Sequence, residues 1–256
     1  MEPTISVIIP ARNEALLIGC VLEAVLRAAT MGDSPRHLSE TTTEVIVVDN
    51  ASTDHTAQMV QPYATQFGVR LAHCARLKAP CARNHGAHIA RGRIFVFVDA
   101  DTLMPPHSLN RIQHLCHTQG YEAGIARLGS LEGGLRAWGW WTFWGLMRAL
   151  PIARAKAMPA LMFCTRATFH EFGPFDERVV IVEEWPILAG LYQARPQRFI
   201  YDRAITARSS NRRMALQPFG YVRTFFRYVW AVAHFSGRLD YSDQWRGRWS
   251  PRELVT

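Results

Sequence analysis

Four short apolar runs, Ile5 to Ile9, Val45 to Val48, Val69 to Ala72 and Ile94 to Val98, alternate with stretches of helical periodicity over the first hundred residues. No other feature constrains the fold as strongly. Runs this continuous suit a parallel sheet covered on both faces, where no side of the strand meets water. Between the first two, Leu17, Val21, Val25 and Ala28 recur at three- and four-residue intervals, which predicts a helix from about Glu14 to Ala29. A loop rich in Thr, Ser, Gly and Pro follows over 30–43. A second helix runs through Ala57, Val60 and Tyr63, with Ser52, Thr53 or Asp54 available as its cap. A third is expected from Ala82 to Ala90. Strand and helix at this spacing predict an α/β layered domain, with its working site at the C-terminal ends of the strands.

Beyond Asp101 the alternation loosens. A helix from Pro105 to His117, strands at Tyr121 to Ala126 and 161–164, and helices at Ala167 to Phe172 and Glu184 to Ala194 are expected, with Pro186 in the first turn of the last. The final 56 residues are poor in strand signal and hold ten arginines against four acids. There Val222, Phe225, Phe226, Val229 and Ala233 fall on one helical stripe, with Arg223 and Arg227 off it. The expected organisation is a single Rossmann-like, three-layer domain over 1–200 with a mostly parallel sheet. A basic, largely helical extension follows over 201–256, packed on the domain or at a membrane surface.

Composition narrows the class of partner. The chain has 256 residues, 48% of them hydrophobic, enough for a full core. A formal charge of +8 favours an anionic partner: nucleotide, nucleic acid or acidic membrane. Five cysteines, with no CxxC pair, read as reduced thiols of a reducing compartment. The N-terminus lacks a basic patch before an apolar run, and no uncharged stretch reaches the roughly 18 to 20 residues of a spanning helix. The expected location is therefore cytoplasmic, with any membrane contact peripheral and at the inner face. No GxGxxG follows the first apolar run, so a dinucleotide fingerprint is absent.

Polar groups gather where the apolar runs end. Asp99 and Asp101 close the run Phe95 to Val98, and an extended backbone would put both carboxylates on one face, where they can hold a divalent cation against a diphosphate. A surface turn with two acids is the competing account. Pro10, Ala11, Arg12, Asn13 and Glu14 end the first run, and Asp49 and Asn50 end the second. Lys78, Arg83 and Asn84 come just before the fourth; a guanidinium suits a diphosphate, though an ordinary solvated face explains the same residues. Glu183 and Glu184 stand where a helix begins, either as a base for a sugar hydroxyl or as simple helix-terminal acids.

The order of these pieces resembles the inverting, nucleotide-sugar-dependent glycosyltransferases of family 2, which have the GT-A fold. The residues that carry the resemblance are Val7 to Glu14, Val45 to Thr56, Ala82 to Gly86, Ala90 to Gly92, Phe97 to Thr102, Gly173 to Arg178, and Glu183 with Glu184, covering roughly residues 4–195. The resemblance implies that Pro10, Ala11, Arg12, Glu14 and Asp49 line the nucleoside pocket and that Arg83 lies near base and diphosphate. It implies that Asp99 faces the ribose at the metal site and that Asp101 contacts Mn²⁺ or Mg²⁺. Of the acidic pair, Glu184 is implied as the base, with Glu183 beside it at the acceptor. The implied partners are a nucleoside diphosphate sugar, UDP-linked at family level, and a carbohydrate or lipid-linked acceptor, without nucleic acid. Trp185 and Pro186 depart from the small or acidic residues usual after the pair, and the Gln-x-x-Arg-Trp signature of processive synthases is missing. Transfer of a single sugar follows from that.

The aromatic cluster Trp138, Trp140, Trp141, Phe143 and Trp144, flanked by Arg136 and Arg148, admits three readings: a sugar platform, a membrane contact or a cover over the open end of the sheet. Arg208, Arg212 and Arg213 are candidates for a phosphate of donor or acceptor. The rival functions are a nucleotidyltransferase acting on sugar phosphates, a basic nucleic-acid-binding protein, and an inactive scaffold of the same fold.

Overall fold

The computed structural model describes residues 3–30, 42–150, 159–178, 183–215 and 219–226. They divide into two units, 1–213 and 214–256, each treated by itself. The first unit is built on one eight-stranded sheet. Its strands are β1 (Ile5–Ala11), β2 (Thr43–Asp49), β3 (Arg70–His73), β4 (Ile94–Val98), β5 (Thr102–Leu103), β6 (Ala123–Ser130), β7 (Leu161–Thr165) and β8 (Phe199–Ser209). The spatial order is β3-β2-β1-β4-β7-β6-β8-β5.

Strands β3, β2, β1 and β4 are parallel neighbours, and β7 joins β4 antiparallel. Strand β6 pairs antiparallel with β7 and parallel with β8, whose outer neighbour is the short antiparallel β5. The strand order reverses between β1 and β4. That is the place where an open α/β sheet leaves a crevice beyond its strand ends.

Helices on both faces make the three layers, and the burial pattern explains their placement. Helix α1 (Ile18–Thr30) buries Ile18, Val21, Leu22, Val25 and Leu26, the i, i+3, i+4, i+7 spacing of one apolar stripe. It shares a core with Val60 of α2 (Thr56–Phe67), Ile112 and Leu115 of α4 (Ser108–His117), and Val7 and Ile9 of β1. The opposite core joins Ile8 and Val48 to Ala82 and Ala87 of α3 (Ala79–Ile89). Phe169 of α6 (Arg166–Phe172) and Ile187 and Leu188 of α7 (Trp185–Ala194) complete it. Successive residues of β1 thus feed opposite cores, as the two-residue side-chain period of a strand requires. At Gly86 a Cβ would overlap the Ile8 side chain, so only glycine lets α3 lie this close to β1. Helix α2 ends at Gly68, whose φ of 77° is the left-handed cap that returns orphan carbonyls to backbone N–H groups.

Two expectations change. The segment after residue 200 is not purely helical: β8 is an eleven-residue strand between β6 and β5. Its signal is the alternation of buried Ile205, Ala207 and Ser209 with less buried neighbours, diluted by two arginines. Strand β8 also slips against β6, since Ala126 faces Asp202 but Arg127 faces Thr206. The excursion is stapled by Arg111, whose Nη2 donates to Asp202 Oδ1 at 2.9 Å, and by Ala204 N–H donating to the same oxygen at 3.0 Å.

The aromatic cluster, in turn, forms a regular helix, α5 (Leu135–Ala149), which buries Ala137, Trp144 and Arg148. In the second unit residues 220–226 are helical, with Val222 and Phe226 exposed. The stripe positions Val229 and Ala233, with Arg227, lie outside the described residues.

Candidate functional site

The ends of β1 and β2 are tied together by side chains acting on backbone. Asn13, at φ 55°, accepts from Thr53 N–H at 2.8 Å while its own N–H donates to Ser52 Oγ at 3.1 Å. Glu14 N–H donates to Thr56 Oγ1 at 2.8 Å, and Ala15 N–H to Asp54 Oδ2 at 3.2 Å. Asp54 also takes the Thr56 N–H at 2.9 Å, so of the three suggested caps it is the one that meets the first turn of α2. Burial opposes the charge of Asp54, but the bonds from Thr56 and Ala15 outweigh it and hold the carboxyl below its usual range. Glu14, Asp49 and Ala11 are buried at this rim, Pro10 is partly covered and Arg12 is exposed. Asp49 lies 3.4 Å from His73 Nδ1 at the end of β3.

The two aspartates meet by a different geometry from the one expected. The chain does not stay extended past Val98; Thr102 N–H donates to the Asp99 carbonyl at 3.0 Å, closing a turn. A strand continued through Asp101 would carry it along β4, whereas the turn folds Asp101 back under Ser210, whose N–H donates to the Asp101 carbonyl at 3.0 Å. The carboxylates still feel each other. Burial, then the charge of Asp99, push Asp101 up to about 6, with Arg212 and the Thr102 hydroxyl opposing.

Arg83 is the hub of the site. Its Nη2 donates to Asp99 Oδ1 at 2.6 Å, its Nη1 donates to Glu183 Oε1, and its guanidinium lies 5.7 Å from the Phe175 ring centre. Burial works against the charge, yet the carboxylates of Asp99, Glu183 and Glu184 more than offset it and raise the pKa further. One partly covered cation therefore joins the end of β4 to the start of α7. Glu183 and Glu184 are themselves buried, and Glu184 is the N-cap position of α7, with Pro186 in the first turn as expected. The next residue, Trp185, is buried with an indole N–H that has no hydrogen-bond partner.

Residues 173–177 are fixed to α3 by Asn84, whose Nδ2 donates to the Phe175 carbonyl at 3.0 Å and to Glu177 Oε1 at 2.9 Å, while its Oδ1 accepts the Phe175 N–H at 2.9 Å. Lys78 Nζ adds a bond to the Glu177 carbonyl at 2.8 Å.

Sequence reasoning missed the contribution of β8. Arg212, just beyond the strand, donates through Nη2 to Glu14 Oε2 and so brings a second guanidinium to the rim. Asn211 accepts the Trp141 Nε1–H at 3.0 Å, and its N–H donates to Glu132 Oε2 at 2.8 Å. Arg212 was legible as a phosphate candidate, but Glu132 and Asn211 carry no local signal once β8 is not read as a strand.

A divalent cation suits this donor set. Among the described residues no group of three or more His, Cys, Asp and Glu side chains is placed to enclose a metal. Two hard carboxylates, Asp99 and the more deeply buried Asp101, match an ion that takes the rest of its ligands from phosphate and water.

Comparison with known proteins identifies the family and the fold. The uncharacterized glycosyltransferase YibD of Escherichia coli (strain K12) is 39% identical over 67 residues, 26% of this chain and 20% of that protein. Validoxylamine A glucosyltransferase of Streptomyces hygroscopicus subsp. jinggangensis (strain 5008) is 29% identical over 112 residues, 43% of this chain and 25% of that protein. The matches thus span a quarter or less of these relatives. In fold the chain is similar to glucosyl-3-phosphoglycerate synthase from Mycobacterium tuberculosis, solved with Mn²⁺, UDP-glucose and phosphoglyceric acid. That likeness has a TM-score of 0.62 at 20% identity, covering 91% of this chain and 79% of that one. Residues 6–171 match the sequence profile described as Glycosyl transferase family 2, and by that match over most of its length the chain belongs to the family 2 glycosyltransferases.

Proposed function

We propose that the protein transfers one sugar from a nucleoside diphosphate sugar to an acceptor hydroxyl or lipid phosphate with inversion at the anomeric carbon. The observation that carries this reading is Arg83, because a single guanidinium, its side chain 12% exposed, links Asp99 on the nucleotide side to Glu183 on the acceptor side. A nucleotide-binding sheet alone would not need that bridge.

In this reading Pro10, Ala11, Arg12, Glu14 and Asp49 form the nucleoside end of the crevice. Asp101, with Asp99, holds Mn²⁺ or Mg²⁺, which when bound neutralises the diphosphate as it departs. Arg83 and Arg212 bring fixed positive charge to the same place, Arg212 leaving or sharing Glu14 as phosphate enters. Glu183 is committed to Arg83 and orients it. Glu184, the next residue, takes the proton from the attacking acceptor oxygen on the face opposite the leaving group. One displacement by that oxygen inverts the anomeric centre, so no enzyme nucleophile is needed. A UDP-linked donor is preferred, in keeping with the resemblance.

The decisive experiment measures nucleotide release over a panel of UDP- and GDP-sugars with Mn²⁺ or Mg²⁺ and candidate acceptors. Release of intact nucleoside diphosphate supports sugar transfer. Release of sugar 1-phosphate, by attack at the α-phosphorus of the donor, would assign a nucleotidyltransferase instead.

A further inference from the structure

The three residues that follow β8 meet the donor-side rim at two points. Ser210 N–H donates to the Asp101 carbonyl at 3.0 Å, and Arg212 Nη2 donates to Glu14 Oε2. Between them lies Asn211, 3% exposed, with its backbone N–H, side-chain N–H and side-chain oxygen all bonded elsewhere. Its N–H donates to Glu132 Oε2 at 2.8 Å, its Nδ2 donates to Ser130 Oγ at 2.5 Å, and its Oδ1 accepts the Trp141 Nε1–H at 3.0 Å. Asparagine carries an N–H and a carbonyl oxygen on one short side chain, so it can give to the end of β6 and take from α5 at once.

Arg212 depends on this upstream chain for its placement. It opens a helix of only four residues, Arg212–Ala215, and its own N–H donates to Ser210 Oγ at 3.3 Å. A helix that short supplies little order by itself. The segment before it is pinned instead, since Leu131 N–H donates to the Ser209 carbonyl at 3.0 Å and Ser210 Oγ donates to Glu132 Oε1. Burial opposes the charge of Glu132, but the bonds from Ser210 and Asn211, with the charge of Arg212, outweigh it and hold the carboxyl below its usual range. Asn211 extends that pinning to α5, so the residues on either side of it share one buried attachment.

We infer that Asn211 is a positioning residue for the donor site: its three bonds fix the backbone from which Arg212 reaches Glu14 and from which Ser210 holds the turn at Asp101. It acts through these neighbours and needs no contact with the donor. The inference rests on the reading of Arg212 as a guanidinium that meets donor phosphate. Loosening the attachment would leave that guanidinium chemically intact but spread over more conformations, so the ordering entropy would be lost on nucleotide binding instead of on folding.

The test is calorimetry of the full chain with UDP and with GDP, each with Mn²⁺, for the parent, Asn211→Ala, Arg212→Ala and the double variant. Arg212→Ala should weaken binding of the nucleotide that the parent takes by about thirtyfold, through loss of charge-assisted bonds to phosphate. Asn211→Ala should weaken it by about tenfold. In the Arg212→Ala background the same change should weaken it by only about threefold more, the share that passes through Asp101. A purely structural role would lower the thermal melt and multiply the two losses in full. Trp141→Phe, which removes one bond and keeps a ring, should weaken binding about threefold, and it replaces Asn211→Ala in both backgrounds if that variant does not fold. The inference alone is overturned if Arg212→Ala weakens binding while the Asn211 or Trp141 variant binds as the parent does, or if that variant's loss is the same with and without Arg212. Parent-like binding by Arg212→Ala would overturn the reading of Arg212 and this inference with it. A parent that binds neither nucleotide would overturn the transfer reading and remove the site that Asn211 serves.

Discussion

The two halves of the sheet are held together in different ways. The β3-β2-β1-β4 half is parallel, its inner strands β2, β1 and β4 are buried, and its loops are fixed by short side chains bonding to backbone, as Asn13, Asp54 and Thr56 do. The half beyond β7 is mixed in direction, and its working loops are joined by long charged side chains that cross the sequence: Arg83 to Glu183, Arg212 to Glu14, and Arg111 to Asp202. In the proposed reaction the first half serves as the nucleotide platform. The second brings the proposed acceptor-side groups to it through a few ion pairs, so single substitutions there should have larger and more specific consequences.

The sharpest way to break this contrast is at the acid pair. Glu184→Gln should retain donor binding and lower the transfer rate by about 10² to 10⁴, the usual contribution of a general base, as measured by product formation against donor titration. A parent-like rate would remove Glu184 from the chemistry. Asp101→Asn should come next, losing metal-dependent nucleotide binding by about two orders of magnitude; calorimetry with and without Mn²⁺ reads it, and an unchanged metal response would move the cation elsewhere.

Arg83→Leu tests the bridge itself. It strands the buried carboxylate of Glu183, so a stability loss of about 3 kcal/mol is expected by denaturant titration. Pairing it with Glu183→Gln should recover part of that loss, and strict additivity would show that the two do not interact. Asn84→Ala, which removes three bonds to residues 175–177, should cost about 1 to 3 kcal/mol. On the platform side, Ser52→Ala should cost only about 1 kcal/mol in the same titration, because the Asn13 N–H it serves is exposed and water can replace that one hydroxyl bond. A platform variant more damaging than Arg83→Leu would reverse the comparison.

The same contrast explains what was legible. Continuous runs such as Val45 to Val48 and the stripe of α1 declare strand and helix by period alone, and the polar residues that follow them fall at the strand ends by chain geometry. Asp99, Asp101, Arg83 and Glu183 were found because each adjoins such an element. The turn that redirects Asp101 is closed by the Thr102 N–H, but the bond that holds it from outside comes from Ser210, more than a hundred residues later, and that partner leaves no trace beside the aspartates. Strand β8 was obscured because its exposed positions include Arg203 and Arg208, and a half-covered strand with arginines looks like a basic loop. The aromatic cluster had no helical expectation because its tryptophans occur on several sides of α5 at once.

The slip between β8 and β6 is a side excursion and not a spacer. Because Asp202 and Thr206 face consecutive residues of β6, three residues of β8 have no partner of their own there. Removing them would set Thr206 next to Asp202 with the pairing on either side unchanged, so Arg212 would keep its reach to Glu14. The deletion would instead remove the Ala204 N–H that closes on Asp202, leaving that edge of the sheet tethered by Arg111 through fewer bonds.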